Sequence, residues 1–564
     1  MPASLDKTAD ASTRPAEKPG RSGTRWRRFS IRLMLLGVAL LAPILAFVGS
    51  RLNEEIPAPL GWDIQSGTNI KWIAELGSQT YSSPAISGDL IFVGTNNAGG
   101  YLPDLPSDID QGVLLCLDRR TGEFVWQHSN AKLPEGRVND WPLQGVTSSP
   151  FAESGCVWYV SNRGEVICLD QDGFLDGTND GDYEEEASQR EIDADVIWKF
   201  NLINELGVFP HNISHCNVEV DSEFVYVKTS NGVNESHRYL PAPDAPSFVV
   251  LDRTSGKLIW HDNSPGESIM HGSWGSPRLA TIDGVRQILF PGGDGWLYSF
   301  APAGDGNGSS VLLWKFDCNP KTSRYPLGRP SGRNNLLTEP TVVEDRIYVT
   351  MGQDPEHGYG PSRVWCISPG GRRGDLSPTL VTKGDKVESP GPDNEFRHCI
   401  EENGDLEIPN PASAAVWEYT GLDIDGDGEL ANDEQMSCSL SRVVHHEGCL
   451  FVTDIYGHLH CLDAQSGKRN WIFDCMSTLW SSPMVNGEHV FIFDEDGMVN
   501  IFKAHPDPTI AMPGGSPVAM NDMVQSVYSN AVVSDGVLYI TTRNQMLAIE
   551  DENAPNAFQK LFRR

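Results

Sequence analysis

Seven tryptophans recur along this chain, Trp72, Trp126, Trp198, Trp260, Trp314, Trp417 and Trp471, and each closes an apolar stretch. Three of them end an eleven-residue block of one design: Cys116-Leu-Asp-Arg-Arg-Thr-Gly-Glu-Phe-Val-Trp126, Val250-Leu-Asp-Arg-Thr-Ser-Gly-Lys-Leu-Ile-Trp260 and Cys461-Leu-Asp-Ala-Gln-Ser-Gly-Lys-Arg-Asn-Trp471. An internal period of this kind restricts the chain to repeat architectures, in which each unit buries its apolar face against the next.

The block reads as strand, tight turn, strand. Its Asp accepts turn amides, its Gly supplies left-handed backbone, and its Trp sits on the outer strand, where an indole fills the wedge between sheets. A second signal, Ser-Pro before alternating apolar residues, stands at Ser83-Pro84, Ser149-Pro150, Ser276-Pro277 and Ser482-Pro483. Runs such as Asp89–Gly94, Asp345–Thr350 and Glu488–Phe493 suit half-buried strands. Four short antiparallel strands per unit describe a propeller blade. Trp72 to Trp126, Trp260 to Trp314 and Trp417 to Trp471 are each 54 residues apart. The gap from Trp314 to Trp417 holds one strand set plus an insertion. The last set lacks an outer strand, whereas the strand around Trp72 has no blade before it. Ring closure by that N-terminal strand resolves both and removes the free edge. The expected fold is all-β, an eight-bladed β-propeller.

With these motifs the chain resembles the pyrroloquinoline-quinone-type (PQQ-like) repeat propellers, whose repeat carries Leu-Asp-x-x-Thr/Ser-Gly-x-x-x-Trp, over about Gly61 to Asp551. That family includes quinoprotein alcohol dehydrogenases and the propeller lipoprotein of the outer-membrane protein assembly machinery. The dehydrogenases cover their quinone with an adjacent Cys-Cys disulfide and surround a calcium with Glu, Asn and Asp. This sequence has no adjacent cysteine pair and no Cys-x-x-Cys-His haem attachment, so it is closest to the non-catalytic members. One fold hosts many functions, and the chemistry of a dehydrogenase belongs to its cofactor.

Residues 1–32 carry eight Lys/Arg against three acids and precede an uncharged run over 33–50. This predicts a basic cytoplasmic tail, then one transmembrane helix that leaves the propeller outside the cytoplasm, on the periplasmic or cell-surface side. A cleaved signal segment is the rival reading. A linker follows over 51–66, the propeller over 67–551 with insertions at about 172–194 and 369–411, and a tail over 552–564. The net charge of −33 excludes nucleic acid as a partner.

The sharpest site motif is Asp423-Ile-Asp425-Gly-Asp427-Gly-Glu429-Leu-Ala-Asn-Asp-Glu434. Its spacing wraps a hard cation in a short loop, and Asp423, Asp425, Asp427, Glu429 and Glu434 are the expected calcium ligands. Strands flank it, so the reading is structural calcium, with a plain acidic turn as the alternative. The acidic run Asp172–Asp182 reads as a solvated loop. Tyr81, His211, His215, His271, Trp274, Glu339, Trp480 and Tyr528 are expected at the central mouth, as a closed aromatic plug or a ligand pocket. His458 and His460 alternate on one strand face without a further ligand. Arg324, Arg329 and Arg333 read as a solvated basic patch. Cys116, Cys168, Cys366 and Cys461 read as core residues, while Cys216, Cys318, Cys399, Cys438, Cys449 and Cys475 are candidates for bridges.

The functional expectation is a membrane-anchored extracytoplasmic scaffold binding envelope proteins or polymers, or another ligand. The alternative is a PQQ-dependent quinoprotein dehydrogenase acting on an alcohol or sugar, so the enzyme question stays open.

Overall fold

The computed structural model describes residues 56–212, 214–327, 332–353, 360–385, 395–431 and 434–553. The tail over 1–32, the apolar run over 33–50 and nearly all of the C-terminal tail lie outside the described residues. Among the described residues no helix is long and apolar enough to cross a membrane.

Eight four-stranded antiparallel blades account for most strands. In blade 1, Ala85–Ser87, Leu90–Asn96, Gln111–Asp118 and Phe124–Ala131 pair in sequence order. Blades 2 to 7 repeat this order, ending with Ala519–Asp522 as the outer strand of blade 7. Blade 8 takes three strands from the C-terminal end, Val532–Ser534, Val537–Thr541 and Gln545–Glu550, and its outer strand, Ile70–Glu75, from the other end of the chain. There Trp72 pairs with Ala548 and Glu75 with Gln545. Ring closure by the N-terminal strand is therefore as expected.

Six of the seven tryptophans reach forward into the next blade. Trp72, Trp126, Trp198, Trp260, Trp417 and Trp471 donate Nε1–H to the carbonyls of Arg119, Gln171, Arg253, Pro302, Ala464 and His505, at 2.8–3.2 Å. The block glycine lies beneath the preceding blade's indole. A Cβ on Gly122 would stand 2.6 Å from the Trp72 ring, and Gly256 and Gly467 are as close to Trp198 and Trp417. These glycines also hold φ values of 73°, 66° and 72°. Two constraints thus select glycine, the left-handed backbone and the absent side chain. The block Asp behaves as its position implies: the Asp118 carboxylate accepts the amides of Arg120 and Thr121 at 2.8 and 2.9 Å.

Two junctions depart from the pattern. Pro369 begins the insertion, its carbonyl is engaged by Arg372, and Trp314 turns to Gln287 of its own blade at 2.8 Å. The insertion then lays Gly374–Asp375 parallel to Leu312–Asp317, covering the outer edge of blade 4. In blade 7 the register places Ala519 where the other blades carry Trp. Trp62, upstream of the closing strand, fills that gap. It is buried among Phe491, Ile501, Leu538 and Ile549 of blades 7 and 8, and its amide is held by Asn521 at 3.0 Å.

The runs expected to be half-buried are buried on both faces, as in Leu90–Asn96, because each blade is sandwiched between two others. All eleven cysteines carry free thiols, including the six considered for bridges. Most are blade-core residues whose neighbours are apolar.

Gly256→Ala is expected to cost about 1–3 kcal/mol, from overpacking and positive-φ strain together. In a Trp198→Ala background the cost should shrink, because only the backbone strain remains. Denaturant titration of the four proteins measures this, and equal penalties in both backgrounds would refute the wedge. Trp62→Ala should cost about 3–5 kcal/mol by the same measurement.

Candidate functional site

The Ser-Pro signals form a girdle around the axis. The amide of Ser83 donates to Ser149 Oγ, Ser149 to Asn217 Oδ1 and Asn217 to Ser276 Oγ, at 2.7–3.2 Å. Arg442 donates to Ser482 Oγ, Ser482 to Asn530 Oδ1, and Asn530 to Ser83 Oγ, at 2.8–3.1 Å. In this way six of the blades are each held to the next by an amide just ahead of the inner strand. Two slots carry charge instead of a short polar side chain: Glu339 in blade 5 and Arg442 in blade 6, and these two form an ion pair.

The girdle surrounds a cavity of about 630 Å³. Tyr81, His215, Trp274, Glu339, Trp480 and Tyr528 line it, as the sequence led one to expect. The aromatics do not pack into a plug, however. They stand around the wall, with Tyr81 and Tyr528 at 5.1 Å and Trp480 edge-on to Tyr528 at 5.9 Å. Trp480 and Tyr528 both donate to the Glu495 carboxylate, at 3.1 and 3.3 Å, which keeps their rings upright. Burial pushes Tyr81 up to about 12. His215 faces the cavity, and desolvation lowers its pKa to about 4. Trp141, Gln144 and Asn212 also line the wall and escaped sequence reasoning. Arg442 did too, although its place in a Ser-Pro slot was a usable signal.

His211 and His271 do not line the cavity. They lie behind Trp274, whose ring meets His271 edge-on at 4.9 Å.

The Asp423–Glu434 loop caps a short ladder beyond the outer strand of blade 5, in which Gly421 bridges Gln435. Asp423 accepts the amides of Gly426 and Gly428 at 2.6 and 2.9 Å. Glu434, itself buried, accepts those of Ile424 and Ala431 at 2.6 and 3.0 Å. These amides lower both pKa values, Gly428 being the largest cause for Asp423 and Ala431 for Glu434. Oxygens of Asp423, Asp425 and Glu434 lie within 4.8 Å of one another. Asp427 and Glu429 lie in the loop outside that group; the Asp427 carboxylate accepts the Glu429 amide at 2.8 Å.

The other motifs are structural. Asp454 accepts from His458 Nδ1 at 3.2 Å and contacts His460 Nε2 at 3.1 Å. Asp454 also accepts the His458 amide at 3.1 Å, and Asp494 accepts the Met498 amide in the same way in the next blade without any histidine. Arg333 is not part of a solvated patch: it is fully buried and paired with Asp317 at 2.8 Å, and Lys321 is paired with the same carboxylate at 3.0 Å. Arg324 is exposed and pairs with Glu402 at 3.5 Å; Arg329 lies outside the described residues. In the acidic run the Asp176 carboxylate accepts the Thr178 amide and the Asp180 amide donates to Asp195, while burial raises the flanking Asp170 and Asp195 to about 6.

The Asp454 hydrogen bond is the largest influence on His458 and raises its pKa. A raised histidine contributes stability that is fully present below its unfolded pKa of about 6.5 and lost as pH rises through the folded value. The stability difference between wild type and His458→Gln should therefore be largest near pH 5.5 and shrink toward pH 9 in urea melts. A difference independent of pH would contradict the pairing.

A sequence-family model described as outer membrane protein assembly factor BamB matches residues 63–174 and 407–505. No curated protein matches the chain. Among solved structures, BamB from Moraxella catarrhalis aligns at 11% identity and a TM-score of 0.44, covering 86% of this chain and 97% of that one. The computationally designed Ika8 protein aligns at 10% identity and 0.45, covering 85% and 99%. Saccharomyces cerevisiae Sqt1 aligns at 8% identity and 0.44, covering 86% and 100%.

Proposed function

We propose that this chain, a PQQ-like repeat β-propeller, is an extracytoplasmic binding scaffold whose cavity face holds a segment of a partner protein. One observation carries the reading. Leu143, Met476 and Val524 are exposed at 54%, 83% and 60%, and all three hold left-handed backbone, with φ of 62°, 61° and 64°. Each stands six residues ahead of a girdle residue, Ser149, Ser482 or Asn530, on a connection that goes on to line the cavity. Left-handed backbone costs roughly 1–2 kcal/mol for a residue with a side chain, and is a marked outlier for β-branched Val. An apolar side chain in water adds a second cost. Carboxylates fix the strained amides: Asp110 accepts from Leu143, Asp474 from Met476 and Asp522 from Val524, at 2.7–2.8 Å. Strain that places apolar groups around a cavity mouth serves contact with another surface.

The cavity complements such a segment. Its amides and hydroxyls suit a polypeptide backbone, its aromatics suit side chains, and its ion pair leaves no net charge. The matching family model describes an assembly factor for proteins, which supports a protein partner. Envelope proteins or polymers, met from a single-pass anchor over 33–50, complete the proposal.

A quinone cofactor fits this cavity poorly. A tricarboxylate asks for several cations, whereas Arg442 is the one cation of the described lining and Glu339 already neutralises it. The loop Asp423–Glu434 is proposed as a structural calcium site. Calcium asks for six to eight oxygens, and Asp423, Asp425 and Glu434 begin that set while Asp427 and Glu429 complete the loop.

A photo-crosslinker at position 143 should yield a discrete protein adduct, and one at position 283, on the opposite face, should not. Met476→Asp with Val524→Asp should cut the adduct at least tenfold at unchanged Tm; adducts insensitive to that pair would overturn the reading. Quinone with calcium, an alcohol and an artificial electron acceptor should give no dye reduction, and quinone-dependent turnover would establish the dehydrogenase alternative. Asp423→Ala with Glu434→Ala, which also removes the loop's amide acceptors, should lower Tm by more when calcium is present than when it is absent. A wild-type Tm indifferent to calcium would leave the loop merely acidic. A reporter fused after Arg564 should be active only outside the cytoplasm.

A further inference from the structure

We propose that His211, His237 and His271 form a binding site for a transition metal ion of the zinc class, which braces the wall of the axial cavity. The three residues come from different loops at the cavity end of blades 3 and 4. His211 lies on the connection into blade 3, and His237 between Phe224–Lys228 and Phe248–Asp252. His271 lies on the connection into blade 4. One ligand atom from each lies within 4.8 Å of the others. The ring centroids are 4.3–4.8 Å apart with planes inclined by 58–73°, so the rings converge rather than stack. A tetrahedral ion with bonds of about 2.0–2.1 Å needs donor separations of roughly 3.3 Å, a closure that rotamer adjustment supplies.

Backbone bonds lock the three loops together. The His211 amide donates to Ser230 at 3.0 Å, Gly232 to Phe209 at 2.9 Å and Val233 to the His271 carbonyl at 2.9 Å. Gly232 sits so close that a Cβ there would meet the His271 carbonyl and, at 2.6 Å, the His211 Cβ. His211 Nδ1 lies 2.7 Å from the Val233 carbonyl. A carbonyl only accepts, so Nδ1 carries the proton and Nε2 becomes the ligating atom, an arrangement that metal-binding histidines share. Asn212, Ser230 and His237 hold left-handed backbone beside the cluster, with φ of 62°, 58° and 56°.

Three imidazole nitrogens suit zinc, copper or nickel and not calcium or magnesium, which take oxygen. The ion would tie together the loops that bring Asn212, His215 and Trp274 to the cavity wall, with the Trp274 indole between it and the cavity.

Cobalt(II) titrated into chelator-treated full-length protein is the test. Wild type should take up one ion per chain with the intense visible bands of four-coordinate cobalt, and zinc should displace it and raise Tm. His237→Gln, a half-buried position, should weaken binding by about tenfold or more while circular dichroism stays unchanged. His458→Gln should bind as wild type does. The proposal fails if wild type shows no such bands, or if they persist in His237→Gln, or if only His458→Gln removes them.

Discussion

The ring depends on an indole of one blade lying over a glycine of the next. The contact is directional: the outer-strand Trp supplies area and an N–H, and the following turn supplies a bare backbone and a carbonyl. Neither partner works alone. A side chain on the glycine would lift the ring off, and a smaller residue than Trp would leave a void at the widest part of the wedge. The repeated block therefore carries the two halves of a joint, a turn glycine for the preceding blade and a Trp for the following one. Where the joint is broken the molecule improvises. The insertion occupies the acceptor carbonyl at the blade 4–5 junction, and Trp62 supplies the ring that blade 7 lacks.

At the axis a lighter device does the same work. In six blades an amide just ahead of the inner strand reaches a Ser or Asn of the next blade, and the polar girdle that results can exist only if the centre stays open to water or ligand. The cavity is thus a consequence of how the blades are registered, and its character follows from which side chain fills each slot. A charged pair in two adjacent slots distinguishes one side of the wall from the rest. The strained apolar residues at the rim stand on the same connections, so the face that closes the ring is also the face that offers itself for contact.

Much of the fold was legible because its determinants are local. Asp118, Gly122 and Trp126 lie within nine positions of one another, and their period alone gives the blade, the count and the closing strand. The Asp423–Glu434 spacing was legible for the same reason, since a loop's carboxylates meet through its own turns. What escaped depends on distant partners. Trp62 fills a gap created more than four hundred residues later. Arg333 is buried only because the fold sets Asp317 opposite it, and His237 meets His211 and His271 where Gly232 draws the loops together. The mouth residues were found in sequence because they precede the inner strands, but whether they packed or stood apart is set by blade number and tilt, which no single repeat encodes.

Joining the first strand to the last blade has a temporal cost. A ribosome releases Ile70–Glu75 at the beginning and its partner Gln545–Glu550 nearly five hundred residues afterwards. Until then the growing arc displays an unpaired sheet border at each extremity, the kind of surface that recruits neighbouring nascent chains. Completion must await the release of blade 8's own strands, and until then the protein is an unfinished circle in need of protection.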